Sequence, residues 1–305
     1  CSSIISYKVD LTLTWIIFPY FCCENTVPIL TSHDDPMLSV VIPTYHRNDL
    51  LAECLKLIAP EVQQFDEAYE VIVTDDGKNT TAQSMIAKGF PWATWVEGPH
   101  DGPAKNRNNG ARNASNDWIV FLDDDCLPDA DLLQSYKKAI QENPTVKVFE
   151  GKIYADREQR RFDEESPINL TGGKLWSCNF CVQKAEFHRL GGFDEDFPFA
   201  TMEDMDLRLR LKDAGNEILF LPSAAVCHPW RKIKGWAMYK KRYISYKYFM
   251  NKYPEKKKFH TPISRIKILI SRFLEGLGSL VKYRFRGISN FFYRTAIDVM
   301  LIFVR

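Results

Sequence analysis

Three consecutive aspartates, Asp123, Asp124 and Asp125, close the apolar run WIVFL at 118–122. Like charges in contact disfavour one another's ionisation, and a divalent cation would remove that cost. Carboxylate oxygens are hard ligands that favour Mg2+ or Mn2+, and Mg2+ is commonly held by one or two carboxylates together with substrate phosphates. On an extended backbone the side chains of Asp123 and Asp125 fall on the same side, where they can share one ion or one nucleotide. A solvated acidic turn is the alternative, and the apolar run before the triplet argues against it. A second acidic pair, Glu203-Asp204, opens the pattern EDMDLRLRLKDAG at 203–215. Read locally, it resembles a capping box, with Thr201 as N-cap and Asp204 at the third helical position, where the helix dipole favours an acid. Cys178 and Cys181 form a single CxxC with no second pair and no neighbouring histidine pair, which is thin support for a metal or redox centre.

These groups need a frame. From 38 to about 148 the chain alternates short β-branched runs (SVVIP, YEVIVTDD, ATWVEG, DWIVFLDDD) with longer amphipathic stretches (NDLLAECLKLIAPEV, TTAQSMIAKG, AKNRNNGARNA). Strands separated by helical patterns imply βαβ units, an α/β class and a mainly parallel sheet. Such sheets bind ligands at the carboxyl ends of their strands, and here two strands end in carboxylates, Asp75-Asp76 and the aspartate triplet. No GxGxxG follows the first strand, which argues against a dinucleotide-binding oxidoreductase. The 203–215 segment predicts a helix, with Leu207, Leu211 and Ala214 on one face and Gly215 at its C-terminal end. Residues 236–305 are helical in pattern, basic and aromatic.

The motifs SVVIPTYHRNDLL at 39–51, VIVTDDG at 71–77, GPAKNRNNGA at 102–111, WIVFLDDDC at 118–126, GGFDEDF at 191–197 and EDMDLRLRLKDAG at 203–215, in this order, resemble glycosyltransferase family 2. The resemblance implies a Rossmann-like GT-A fold and a metal-dependent, inverting transfer of a sugar from a nucleoside diphosphate sugar to a hydroxyl. Carried over residue by residue, it implies that Pro43, Thr44 and Tyr45 line the nucleotide pocket and that Asp75 and Asp76 accept hydrogen bonds from the base. An acceptor-only carboxylate suits the imide N–H of uracil or thymine, so UDP or dTDP donors are expected. Arg107, with Lys105 beside it, would contact nucleotide or diphosphate; a solvated helix start is the bland alternative for both. In the metal motif Asp125 would bind the Mg2+ or Mn2+ ion, and Asp123, with Asp124 beside it, the ribose or the ion. His228, after the run EILFLPSAAV, would complete the metal site. Glu203-Asp204 would be the catalytic pair, with Asp204 as the general base that accepts the acceptor's proton. Cys126, Cys178 and Cys181 depart from the usual pattern and bear on acceptor specificity.

The chain of 305 residues is 45% hydrophobic and 26% charged, which excludes disordered, collagenous and small disulfide-scaffold classes. Its net charge of +1 hides a strong asymmetry: residues 229–305 carry 19 Lys and Arg against three acids, so the first 228 are net acidic. Basic residues interleaved with aromatics at helical spacing suit an anionic membrane surface better than nucleic acid, and a peripheral contact through 229–305 is expected. A basic helical cap over the acidic domain is the alternative. The final run FFYRTAIDVMLIFV contains Arg294 and Asp298 and so reads as interfacial or buried rather than spanning. Eight cysteines without a repeating framework fit a reducing compartment, and with the basic tail suggest a cytoplasmic protein at the inner face of the cell membrane. Residues 11–23 are apolar but too short to span, and they lack the basic segment of a signal peptide. A natural start at Met37 would leave 1–36 outside the native protein. The expected domains are then 37–228, catalytic, and 229–305, helical, acting on a glycan or lipid-linked acceptor in surface polysaccharide or glycolipid synthesis. A nucleotidyltransferase or a non-catalytic nucleotide-sugar-binding protein would share the aspartates but have no use for Glu203-Asp204.

Overall fold

The computed structural model describes residues 37–303, apart from 80, 234 and 256–260. The expectations for 1–36 lie outside the described residues. Strands β1 (Leu38–Thr44), β2 (Glu70–Asp75), β3 (Thr94–Glu97) and β4 (Trp118–Leu122) alternate with helices α1 (Asn48–Leu57), α2 (Gln83–Gly89) and α3 (Pro103–Asn113), as the hydrophobic periodicity predicts. After these come β5 (Leu127–Pro128), α4 (Leu132–Glu142), β6 (Val148–Tyr154), β7 (Glu164–Glu165), β8 (Asn179–Gln183) and α5 (Lys184–Arg189). The helix α6 (Glu203–Asp213) and strands β9 (Ile218–Cys227) and β10 (Arg231–Lys232) precede three C-terminal helices, α7 (Gly235–Lys252), α8 (Pro262–Lys282) and α9 (Ile288–Ile302).

Eight strands form one sheet in the order β3-β2-β1-β4-β8-β6-β9-β5. The β1, β2, β3 and β4 pairings are parallel, as is β6 with β9; β8 runs antiparallel to both β4 and β6, and β5 to β9. The sheet is therefore mixed, with parallel pairings in the majority. Strand alternation divides the core between its two faces. Val40, Ile42, Val120 and Leu122 pack with Leu51 and Leu55 of α1 and Leu133 and Tyr136 of α4. Val41, Ile119 and Phe121 face the other way, onto Ala111 of α3, Phe187 of α5 and Leu207 and Leu211 of α6. Helix α3 approaches so closely that a Cβ on Gly110 would lie 2.4 Å from the Val41 side chain. The parallel strands β1, β2 and β4 end at one edge, which brings Thr44, Asp75 and the aspartate triplet together.

The C-terminal helices pack on this domain through two small apolar clusters. Phe249 and Met250 of α7 meet Phe197, Met202, Met205 and Leu209. Leu280 of α8 and Phe291 of α9 meet Phe162.

Candidate active site

Asp123 directly follows β4, and the chain then turns through Asp124 and Asp125, closed by the Cys126 N–H donating to the Asp123 carbonyl (3.1 Å). The extended backbone assumed for the triplet thus stops at Asp123, and the three carboxylates face different partners. Asp123 accepts from Arg107 (2.7 Å). Asp124, fully buried, accepts from the Thr44 hydroxyl (2.7 Å) and pairs with Arg47 (2.7 Å). Burial pushes Asp124 up to about 7, against the pull of Arg47 and Thr44. Asp125 gathers Arg231 (2.6 Å) and Arg47 (2.9 Å) on Oδ2. Burial would raise it, but His228, Arg231 and Arg47 outweigh burial and hold it well below the usual carboxylate range.

His228 follows β9 and is buried, with Nε2 3.2 Å from Asp125 Oδ1. The two atoms are not aligned as a hydrogen bond, and neither has another hydrogen-bond partner. Nδ1 faces the Pro229 carbonyl at 3.1 Å; with the proton there, Nε2 turns its lone pair toward Asp125. A buried carboxylate oxygen and imidazole nitrogen, close together and both unsatisfied, fit a divalent cation that completes its shell with substrate oxygens. The third group within reach, Cys126, donates its thiol to the Cys178 carbonyl. That contact and burial keep the thiol protonated, so it is a poor ligand for a hard cation.

Arg107, on the inner face of α3, is buried rather than solvated. It lies over the Phe193 ring (5.6 Å) and joins Asp123 to Glu203 (3.5 Å). Glu203 and Asp204 start α6, where the structure corrects the capping-box expectation. The N-cap is Met202, at φ +78°, and no side chain caps the helix; the Thr201 hydroxyl turns to the Ala200 carbonyl. The Asp204 carboxyl is therefore not consumed by a cap, and its Oδ1 is buried without a hydrogen bond. Burial raises both carboxyls of the pair, while Arg107 pulls both down. Gly215, at φ +81°, terminates the helix as its position predicts.

The other expected residues lie around this centre with different partners. Pro43 is buried in β1 opposite Thr74, and Tyr45 is 58% exposed at the strand's end. Asp75 accepts from the backbone N–H groups of Gly77 (2.8 Å) and Ala82 (2.6 Å) and from the Trp95 indole (3.2 Å). Asp76 accepts from the N–H groups of His100 (2.9 Å) and Gly102 (3.1 Å). Both carboxylates thus organise the loops beside the pocket. Lys105 pairs with Asp101 on the outer side of α3. Asn108 clamps the 191–195 turn through both Phe193 backbone groups and Glu195. Arg47 and Arg231 escaped notice in the sequence. Their signal was positional: each stands three residues past a pocket residue, Thr44 or His228.

Residues 39–189 match the family described as Glycosyl transferase family 2. Validoxylamine A glucosyltransferase of Streptomyces hygroscopicus subsp. limoneus is 29% identical over 230 residues, covering 62% of this chain and 50% of the relative. The chain thus spans about half the length of this curated relative. The fold matches S. aureus TarS in complex with UDP-GlcNAc (TM-score 0.53, 20% identity, covering 68% of this chain and 65% of TarS). It also matches the mannosyltransferase PcManGT of Pyrobaculum calidifontis in complex with GDP-Man and Mn2+ (TM-score 0.51, 21% identity, covering 68% and 61%). Residues 39–189 are thus a glycosyl transferase family 2 domain, and the α/β fold that holds the aspartate triplet matches the fold of these GT-A glycosyltransferases.

Proposed function

We propose that the protein transfers a sugar from a nucleoside diphosphate sugar to an acceptor hydroxyl with inversion, assisted by Mg2+ or Mn2+. The observation that carries this reading is the buried Arg107, which ties the acidic start of α6 to the aspartate triplet while Asp204 keeps an unbonded carboxylate oxygen. Asp204 takes the proton of the acceptor hydroxyl as its oxygen attacks the anomeric carbon. The bond from that carbon to the diphosphate oxygen breaks, and the electron pair leaves with the nucleoside diphosphate. One displacement inverts the configuration, and no covalent protein intermediate is needed. Asp125 and His228 would hold a divalent cation, which would neutralise charge on the leaving diphosphate. Arg47 and Arg231 add positive charge beside it, in the guanidinium geometry that suits phosphate oxygens.

A UDP or dTDP donor is supported by the acceptor capacity left on Asp75 and Asp76, since each carboxylate oxygen has two lone-pair sites and the observed contacts fill only part of them. TarS in complex with UDP-GlcNAc and PcManGT with GDP-Man and Mn2+ support the donor class and a metal. We further infer a glycan or lipid-linked acceptor and a peripheral membrane contact through α8 and α9. Ile263, Ile266, Ile270, Leu274, Leu277 and Val281 form an exposed apolar stripe along α8, with Lys267, Lys282, Arg284 and Arg286 nearby in the chain. No described helix is long and apolar enough to cross a membrane. The five described cysteines are buried and free, which supports a reducing compartment and a place at the inner face of the membrane.

Calorimetry with UDP, dTDP, GDP and CMP, with and without Mn2+, tests the reading. Metal-dependent binding of one diphosphate, lost in Asp125→Asn, is expected; no binding of any nucleotide under any metal condition would refute it.

A further inference from the structure

A cavity of about 530 Å3 lies between the C-terminal helices and the β7–β10 ribbon. Its volume is within the range of small-molecule sites. Thr201 and Met202 form part of its wall. Met202 is two residues before Asp204, a span of at most about 7 Å between Cα atoms. Part of the cavity wall therefore lies within two residues of the carboxylate assigned above as the base; its β7 side falls within the matched 39–189 segment, while α7, α8 and α9 lie beyond it.

Its lining is aromatic and carries one unbalanced charge. Tyr239, Tyr243, Tyr246 and Tyr283 present rings of the amphipathic kind that stack on sugar faces while their hydroxyls remain near polar groups. Each acid in the wall already has an arginine: Glu164 has Arg157 (3.0 Å), Glu165 has Arg242 (2.9 Å), and Asp298 has Arg272 (2.6 Å). Arg294 has no carboxylate partner among the described residues. Its guanidinium lies 4.6 Å over the Phe162 ring, one amino group donates to the Arg272 carbonyl (2.7 Å), and its Nε is buried without a partner. Burial and the neighbouring Arg272 disfavour its charged form and outweigh the weaker pull of Asp298 and Glu275, neither of which pairs with it directly. A partly desolvated guanidinium with unused donors beside a second arginine is a site for an oxyanion, and phosphate matches its fork.

We infer that this cavity is the acceptor site and takes a glycan carrying a phosphate ester, with the sugar on the tyrosines and the phosphate on Arg294. The inference rests on the reading of Asp204 as base. The phosphate could belong to a soluble glycan phosphate or to a lipid-linked glycan; the charge recognised is the same.

The test titrates the full chain, saturated with UDP and Mn2+ so that the donor site is filled, with glucose 1-phosphate, methyl glucoside and inorganic phosphate. A parallel arm uses vesicles containing a prenyl-phosphate glucose. Glucose 1-phosphate should bind more tightly than either fragment, and at least tenfold more weakly to Arg294→Gln, with Arg294→Lys between them. UDP affinity should be unchanged in both variants, which also reports that they are folded. Preference for the vesicle arm, lost in Arg294→Gln, identifies the lipid-linked source; equal loss in the soluble arm alone identifies the free glycan phosphate. Equal affinity of wild type and Arg294→Gln, or inorganic phosphate binding as tightly as glucose 1-phosphate, overturns the inference. UDP binding with no glucose 1-phosphate or vesicle binding also overturns it while leaving the donor reading intact, whereas loss of UDP binding in the wild type would strike at the donor reading itself.

Discussion

In the proposed reaction, Asp204 is the residue on which the chemistry turns. Its carboxyl is raised by burial and lowered by Arg107, and a general base works only when ionised. Transfer activity should therefore rise with pH through a limb displaced above the ordinary carboxylate range, measurable as kcat against pH at saturating donor. Asp204→Asn should lower kcat by about 100- to 10,000-fold while leaving nucleotide affinity unchanged; an unchanged kcat would remove Asp204 from the reaction. Arg107 has a different character. It is buried and serves two carboxylates, so Arg107→Met leaves Asp123 and Glu203 without their shared cation. Breaking a buried pair from one side costs on the order of 3 kcal/mol, and urea denaturation should show that loss even with no ligand present.

At the scale of elements, α3 and α6 decide where these residues stand. Gly110 lets α3 lie against β1, since a Cβ there would meet Val41 at 2.4 Å. Alanine would improve helix propensity by about 1 kcal/mol, but overpacking of a tight contact costs about 1–3 kcal/mol. Gly110→Ala should therefore lower the melting temperature by a few degrees; a rise would mean that α3 can shift outward freely. For α6, the local pattern suggested Thr201 as the cap, but Met202 takes that place in a left-handed conformation. Packing of Met202 and Met205 against α7 fixes this entry, and local capping chemistry yields to it. Thr201→Ala should consequently change stability by no more than about 0.5 kcal/mol, well short of the typical cost of losing a true N-cap.

For the molecule as a whole, the division between an acidic catalytic domain and a basic helical region sets the expected behaviour at membranes. The stripe along α8 is exposed at Ile270 (54%) and Leu274 (61%), so replacing both with Glu removes surface apolarity without opening the core. The double variant should keep its melting temperature and lose at least tenfold in sedimentation with vesicles containing phosphatidylglycerol. Binding of the unaltered chain should weaken as salt rises, because clustered Lys and Arg act through a screened field. Salt-independent or absent vesicle binding would favour the basic region as a cap on the catalytic domain alone.

The local pattern of the chain was enough for the alternating elements from β1 to β4, for α6 and for the acidic groups, but not for the strands and short helices between 127 and 190. Apolar alternation marks β1, β2 and β4, and the carboxylates at their ends are visible because strand, turn and triplet are contiguous. The charge asymmetry and the helical C-terminal region could be read in the same way. What each carboxylate faces was decided only in three dimensions. Arg47, Arg107 and Arg231 reach the triplet from separate parts of the chain, Asp75 and Asp76 spend lone pairs on nearby backbone, and the turn at Asp124 separates Asp123 from Asp125. Periodicity records which face of an element is buried, whereas the pairing of one buried charge with another depends on how distant elements pack.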